Sequence, residues 1–136
     1  MKKYTEHQIA NGKTGGRLPH FDGKWLTNGH FFISVEEDVA KEILKKSHAN
    51  FPMPSEWSDM CDGWISGGTG EDLTQNPTEA ENVVTLGDGA FLAGYVVFFE
   101  ERGYKFSKME PIAGNHGVKI INKSGEAVGV LLGCFS

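Results

Sequence analysis

Between Gly89 and Arg102 six large apolar side chains crowd one side of a segment whose spacing reads as a helix. Set about 100° apart, Phe98, Phe91, Tyr95, Phe99, Leu92 and Val96 fall on an arc of ~160°, opposite Ala90, Ala93, Gly94, Val97, Glu100 and Glu101. So wide an aromatic face has to be buried, and the flanking residues predict the strands to bury it. Asn82 to Leu86, Tyr104 to Met109, Val118 to Asn122 and Ala127 to Phe135 read as strands, the last two joined by a turn at Lys123-Ser124-Gly125-Glu126. Asp88 is placed as the N-cap of this helix and Gly103 as its left-handed end. The C-terminal half is thus expected to be a βαβββ unit.

The first half carries a hairpin and a second helix. Lys24-Trp25-Leu26 and Phe31-Phe32-Ile33 flank Thr27-Asn28-Gly29-His30, and Asn-Gly readily supplies the two positive φ values of a type I′ hairpin turn. Ser34 stands three residues before Glu37 in the Ser-x-x-Glu pattern of a capping box. Val35, Val39, Ile43 and Leu44 then recur at helical spacing, which predicts a helix from about 35 to 48. Residues 1–19 hold two turn sites and at most a short strand near Tyr4 to Ile9, so poor order is expected there. At 136 residues one hydrophobic core is the expectation, and 39% hydrophobic content is too high for a disordered chain. The fold class that follows is α+β: two helices packed on antiparallel sheet in a single domain, residues 1–136, with a long acid-rich insertion.

That insertion is where the charge is most uneven. From Lys46 to Arg102 no Lys or Arg intervenes, while ten Asp and Glu do, so a net charge of −5 conceals a strongly negative middle. Such a region repels phosphate and attracts a basic partner over about a Debye length, ~8 Å at physiological salt. Residues 49–81 also hold Pro52, Pro54, Pro77, Gly63, Gly67, Gly68 and Gly70, a connection longer than usual and expected to be only partly ordered. Within it Trp57, Met60, Trp64 and Ile65 predict a short helical turn. Together with Met53, the Trp and Met residues among acids have the composition of an interface centre inside a charged rim, although the two indoles could equally fold back onto the core. The leading functional expectation is a non-catalytic protein that binds a basic protein partner through Trp57, Met60, Trp64, Glu71, Asp72, Glu79 and Glu81.

Chemistry has weaker footing in the residues. Ser66-Gly67-Gly68-Thr69-Gly70-Glu71 lacks the Lys and the spacing of a phosphate-binding loop and reads as a turn. His20 and Asp22, with His30 brought near by the hairpin, could share a metal or a proton, but no HExxH or paired Cys/His motif accompanies them. Cys61 and Cys134 stand far apart without a CxxC, as expected in a reducing compartment; Cys61 could pair with a distant His, and Cys134 reads as a small buried hydrophobe. A small hydrolase or metalloprotein using His20, Asp22 or Cys61 stays open as an alternative, with no catalytic residue, metal site or cofactor assigned. No apolar run is long enough to cross a bilayer, and Met1-Lys2-Lys3-Tyr4 leads into polar sequence, so a cytoplasmic location without a membrane partner is expected.

The run from Tyr95-Val96-Val97-Phe98-Phe99 through Val118-Lys119-Ile120-Ile121-Asn122-Lys123-Ser124-Gly125-Glu126-Ala127-Val128-Gly129-Val130-Leu131-Leu132 resembles the closing segment of small bacteriophage and mobile-element proteins related to the DNA sliding clamp. Asp22-Gly23-Lys24-Trp25-Leu26-Thr27-Asn28-Gly29-His30 with its following helix is similar too. The resemblance implies repeated βαβββ units, helices lining a DNA channel, and several copies closing a ring. It also raises a second alternative, a DNA-associated replication accessory that grips duplex through Lys41, Lys45 and Lys105. Against this, the second helix ends in two glutamates, and Glu37 and Glu42 stand four residues before Lys41 and Lys46, where they pair with the cations phosphate would need.

Overall fold

The computed structural model describes residues 4–11, 19–47, 51–67, 70–79, 82–109 and 116–133. In chain order its elements are α1 (Glu6–Asn11), β1 (His20–Phe21), β2 (Trp25–Thr27), β3 (Phe31–Ser34), α2 (Asp38–Lys45), β4 (Phe51–Pro52), α3 (Ser55–Ser66), β5 (Asp72–Leu73), β6 (Gln75–Pro77), β7 (Val83–Leu86), β8 (Gly89–Leu92), α4 (Ala93–Glu101), β9 (Lys105–Lys108), β10 (Gly117–Ile121) and β11 (Ala127–Leu132). The class is α+β as expected, with four helices among the described residues rather than two. Eight strands form one sheet in the order β4-β1-β2-β3-β11-β10-β9-β5, antiparallel except for the parallel pair β1 and β4. Strands β6, β7 and β8 form a separate antiparallel sheet.

The large sheet is two chain segments joined along one seam. Strands β1 to β4 come from residues 20–52, the others from 72–132, and β3 meets β11 through Ile33 opposite Gly129, Phe32 opposite Val130 and Phe31 opposite Leu131. Gly129 permits this approach, because a Cβ built there would lie 2.3 Å from the Phe32 carbonyl oxygen. The hairpin around Asn28-Gly29 forms, with Gly29 at φ 94°, but Thr27 pairs with Phe32 rather than His30, so its loop is longer than a two-residue type I′ turn. Asn28 is buried, and its amide donates to the Ile9 carbonyl at 2.7 Å and to Tyr95 Oη at 3.0 Å. One side chain thus ties the hairpin to α1 and α4. This satisfies groups that would be costly to bury unpaired.

The expected helix over 89–102 starts four residues late. Leu86 pairs with Gly89, so Gly87 and Asp88 form a two-residue hairpin loop, with Gly87 at φ 59°, and Gly89 to Leu92 continue as β8. Asp88 is therefore a turn residue, because Gly-Asp between apolar runs closes a hairpin as readily as Asp begins a helix. The strand before the helix belongs to the small sheet and the three after it to the large one, so the single-sheet βαβββ unit is replaced by a hairpin, a helix and a three-stranded meander. The apolar arc survives the change. Phe91, Tyr95, Val96, Phe98 and Phe99 are all buried between the two sheets, with α1 and α2 completing this first core. At the far end of α4, Gly103 sits at φ 88°, with Gly103 N donating to Glu100 O and Tyr104 N to Phe99 O, both at 3.1 Å. This is the Schellman closure that glycine favours.

Two N-terminal signals resolve in opposite ways. Where a strand was expected near Tyr4 to Ile9, the chain forms α1. Thr5 Oγ1 accepts from Gln8 N at 3.2 Å and Gln8 Oε1 accepts from Thr5 N at 2.9 Å, a reciprocal capping box that sends Ile9 and Ala10 into the core. The turn sites at Gly12 and Gly15-Gly16 lie outside the described residues. The Ser34-x-x-Glu37 box does not close. Ser34 Oγ reaches only Glu36 N at 3.4 Å, α2 begins at Asp38, and the Glu37 carboxylate is drawn away to Tyr104 and Asn122.

The other face of the large sheet carries a second core covered by α3. Trp25, Phe32 and Val130 project from the sheet, and Cys61 and Trp64 meet them from the helix, with Met53 and Met109 at the margins. Residues 49–81 are therefore far more structured than expected: instead of one helical turn they contain a 12-residue helix and strands β4, β5 and β6. Apolar burial at about 25 cal/mol per Å² explains why two indoles organise this segment rather than leave it loose.

Candidate functional site

Strand β2 and helix α3 are fastened by polar contacts at the β1–β2 turn. Asp22 Oδ1 accepts from Lys24 N at 2.8 Å and Trp25 N at 2.7 Å, and the carboxylate also takes a hydrogen bond from the Ser58 side chain of α3. Lys24 Nζ lies 2.7 Å from Asp62 Oδ1, which also accepts from Trp25 Nε1 at 3.2 Å. With its inner face held by Cys61 and Trp64, α3 turns Glu56, Asp59, Gly63 and Ser66 to solvent, and no basic residue lies on it.

The residues expected to bind a partner do not form one surface. Trp64 is 2% exposed and packs on Phe32 at 6.1 Å between ring centroids, so it serves the second core rather than an interface centre. Trp57 and Met60 are half-buried against the same core. Asp72 is exposed on β5, opposite Ser107, and Glu71 is exposed just before it; Glu79 lies beyond β6 in the small sheet, and Glu81 lies outside the described residues. The stretch without cations in sequence acquires them in space. β9 brings Lys105 and Lys108 beside β5, and Lys24 reaches Asp62. Glu56 and Asp59 are the acids that α3 leaves exposed together, whereas Asp62 is paired with Lys24 and Asp72 stands on β5 at the border of the large sheet.

The three lysines of the DNA-binding alternative are also separated. Lys41 and Lys45 are exposed on α2, which packs into the first core through Val39, Ala40 and Ile43, whereas Lys105 alternates with Phe106 and so points from the opposite face of the sheet. Lys41 contacts Asp38 at 3.7 Å instead of Glu37. Helix α4 is buried along most of its length and has no face for phosphate.

The residues of the hydrolase or metal alternative are spread similarly. His20 lies 5.5 Å from the Trp57 ring on the α3 side, while His30 lies 5.1 Å from Tyr95 in the first core. Among the described residues no three His, Cys, Asp or Glu side chains are grouped to hold a metal ion. The buried Cys61 thiol is pushed up to about 12, by burial first and then by the Asp62 and Asp22 carboxylates, against the pull of Lys24, so it stays protonated at neutral pH. Cys134 and the Gly68-Thr69 part of the Gly-rich run lie outside the described residues.

Asp22 is instead a structural carboxylate. Burial acts to raise its pKa, but the bonds from Trp25 N, Lys24 N and Ser58 outweigh it and hold the group below its ordinary 3.8. A carboxylate with a depressed folded pKa adds stability above its unfolded value and loses it as pH falls through the folded one. Asp22→Asn is thus expected to have a lower urea midpoint than the unsubstituted chain at neutral pH, with the two midpoints converging below pH 3.8. A gap that stays constant well below that pH, through the range in which the depressed carboxyl takes up its proton, would refute this role.

A concave site that sequence reasoning missed opens between the start of α2 and the β10–β11 turn. It is a cleft of about 440 Å³ whose lining includes Glu37, Asp38 and Glu42 on one side and Arg102, Tyr104, Asn122 and Lys123 on the other. Tyr104 Oη donates to Glu37 Oε2 at 2.9 Å and Asn122 Nδ2 to Oε1 at 3.3 Å. The Tyr104 hydroxyl is held above its ordinary range, by burial first and then by its bond to Glu37. In the sequence Glu37 carries the signal of a helix cap and Asn122 that of a strand end, and nothing local pairs residues 85 positions apart.

Comparison of the sequence with protein-family models, with curated proteins and with solved structures gives no match. Among the described residues no helix is long and apolar enough to cross a membrane.

Proposed function

We propose that this chain is a non-catalytic interaction protein that engages a basic protein partner through the solvent side of α3. The observation that carries the reading is the exposure of Glu56 and Asp59 on a helix without cations whose inner face is locked to the sheet by Trp64 and Cys61. A fixed negative ridge concentrates oppositely charged partners and speeds their encounter, and it loses little freedom on docking. Half-buried Trp57 and Met60 flank the ridge and offer apolar contact beside it. This narrows the expected surface from the whole acid-rich segment to α3.

The test is quantitative capture from the source cell with the full chain as bait, comparing it with Glu56→Lys/Asp59→Lys and with the control Glu36→Lys, which alters an exposed acid before α2. The α3 double variant should lose a salt-sensitive partner at least about tenfold while the control keeps it. If the captured proteins are the same for all three baits, the α3 surface is not where this protein docks.

A further inference from the structure

The cleft beside α2 lies outside the α3 surface, and its chemistry points to a different ligand. We propose that it binds a guanidinium group, received by the Glu37 carboxylate. At about 440 Å³ the cleft has the size of a small-ligand site. Glu37 is already oriented within it, since Tyr104 Oη and Asn122 Nδ2 each donate to one of its oxygens. Both donors are neutral, so they fix the carboxylate without cancelling its charge, and each oxygen keeps a lone pair for a ligand. Asn122 is fixed in turn, because its Oδ1 accepts from Ser124 N at 3.0 Å and Glu126 N at 2.9 Å. The acceptor is therefore set before a ligand arrives, which lowers the entropy lost on binding.

The surrounding charges favour a cation. Glu37, Asp38 and Glu42 supply three carboxylates against Arg102 and Lys123. Arg102 is committed elsewhere: its Nη1 donates to Phe98 O at 3.0 Å, its guanidinium carbon lies 3.7 Å from the Phe98 ring centroid, and Nη2 lies 3.5 Å from Glu6 Oε1. The stem of Lys123 occupies the space left by the absent Cβ of Gly103. A guanidinium offers parallel N–H groups that match the two oxygens of an oriented carboxylate and is weakly hydrated, whereas an alkylammonium is a compact, strongly hydrated point charge.

The full chain is titrated with agmatine, with putrescine, a dication of the same chain length that has no guanidinium, and with an unstructured peptide holding one internal arginine, following the amide signals of Glu37, Tyr104 and Asn122 by NMR. Agmatine is expected to saturate with a Kd of about 1 mM, weakening with salt, and putrescine to bind several-fold more weakly. Glu37→Gln should lower agmatine affinity at least about tenfold. Should that variant fail to fold, the exposed Glu42→Gln should still lower it about two- to threefold. A peptide that binds with the same dependence on Glu37 identifies the source as an arginine side chain of a partner; binding of agmatine alone identifies a free small molecule. The proposal is overturned if agmatine gives no saturable shift up to about 20 mM, if putrescine binds equally well, or if affinity is unchanged in the substituted chains. Glu56→Lys/Asp59→Lys should leave agmatine binding intact, so this site and the α3 surface can fail separately.

Discussion

Phe99→Ala is expected to destabilise the protein by about 3–5 kcal/mol, the largest loss from any single truncation on α4. Phe99 is fully buried and stands at the centre of an edge-to-face set, with ring centroids 5.7 Å from Phe31, 5.3 Å from Phe98, 5.9 Å from Tyr104 and 6.4 Å from Phe106. These rings come from β3, α4, the residue before β9 and β9, so the cavity would open where both segments of the large sheet meet the helix. Collapse to fill it would have to move strands already held by their ladders. At about 4 °C per kcal/mol for a chain of this size, the melting midpoint should fall by about 12–20 °C. A loss below about 1 kcal/mol would mean that the rings do not act as one packed unit.

Gly129→Ala should be nearly as damaging for a different reason. The added methyl would meet the Phe32 carbonyl oxygen at 2.3 Å and Ile33 Cα at 3.1 Å, both backbone atoms that cannot swing aside. The clash lies on the β3–β11 seam, the pairing that joins residues 20–52 to residues 72–132 within the large sheet. Relief requires the strands to part, so a cost of about 3 kcal/mol or more is expected, at or above the usual range for overpacking. Hydrogen exchange should show it first as lost protection at Phe32, Val130 and Leu132, the amides that face the neighbouring strand across this seam. Unchanged protection there, with wild-type stability, would contradict the close approach of these strands.

The sequence made the strands and the aromatic helix legible because both depend on local periodicity. Val83–Leu86, Lys105–Lys108 and Gly117–Ile121 fall within or at one residue of the expected runs, and Gly103 ends its helix as expected. What failed were choices between two local solutions of similar energy. Thr5-x-x-Gln8 and Ser34-x-x-Glu37 are both capping boxes on paper; the first closes, while a tyrosine and an asparagine from the distant C-terminal meander take the glutamate of the second. Asp88 fits both a helix cap and a hairpin loop, and strand pairing decided between them. The charge pattern was read correctly along the chain, but its expression in space was not legible: β9 sets Lys105 and Lys108 against the acidic strand only because β5 folds back to the sheet edge. The Glu37 cleft was invisible for the same reason, being assembled from elements that no local pattern connects.

The outermost strands of the large sheet, β4 and β5, are each two residues long, and β4 ends in Pro52, which has no amide to donate. Long unpaired borders are templates on which another chain can add itself, and truncation and proline are the usual means of closing them. The ladder therefore ends on both sides with almost no backbone left to extend it. Contacts made along these two borders, between copies of this protein or with a partner, would have to be made by side chains, and that leaves recognition there to charge and shape.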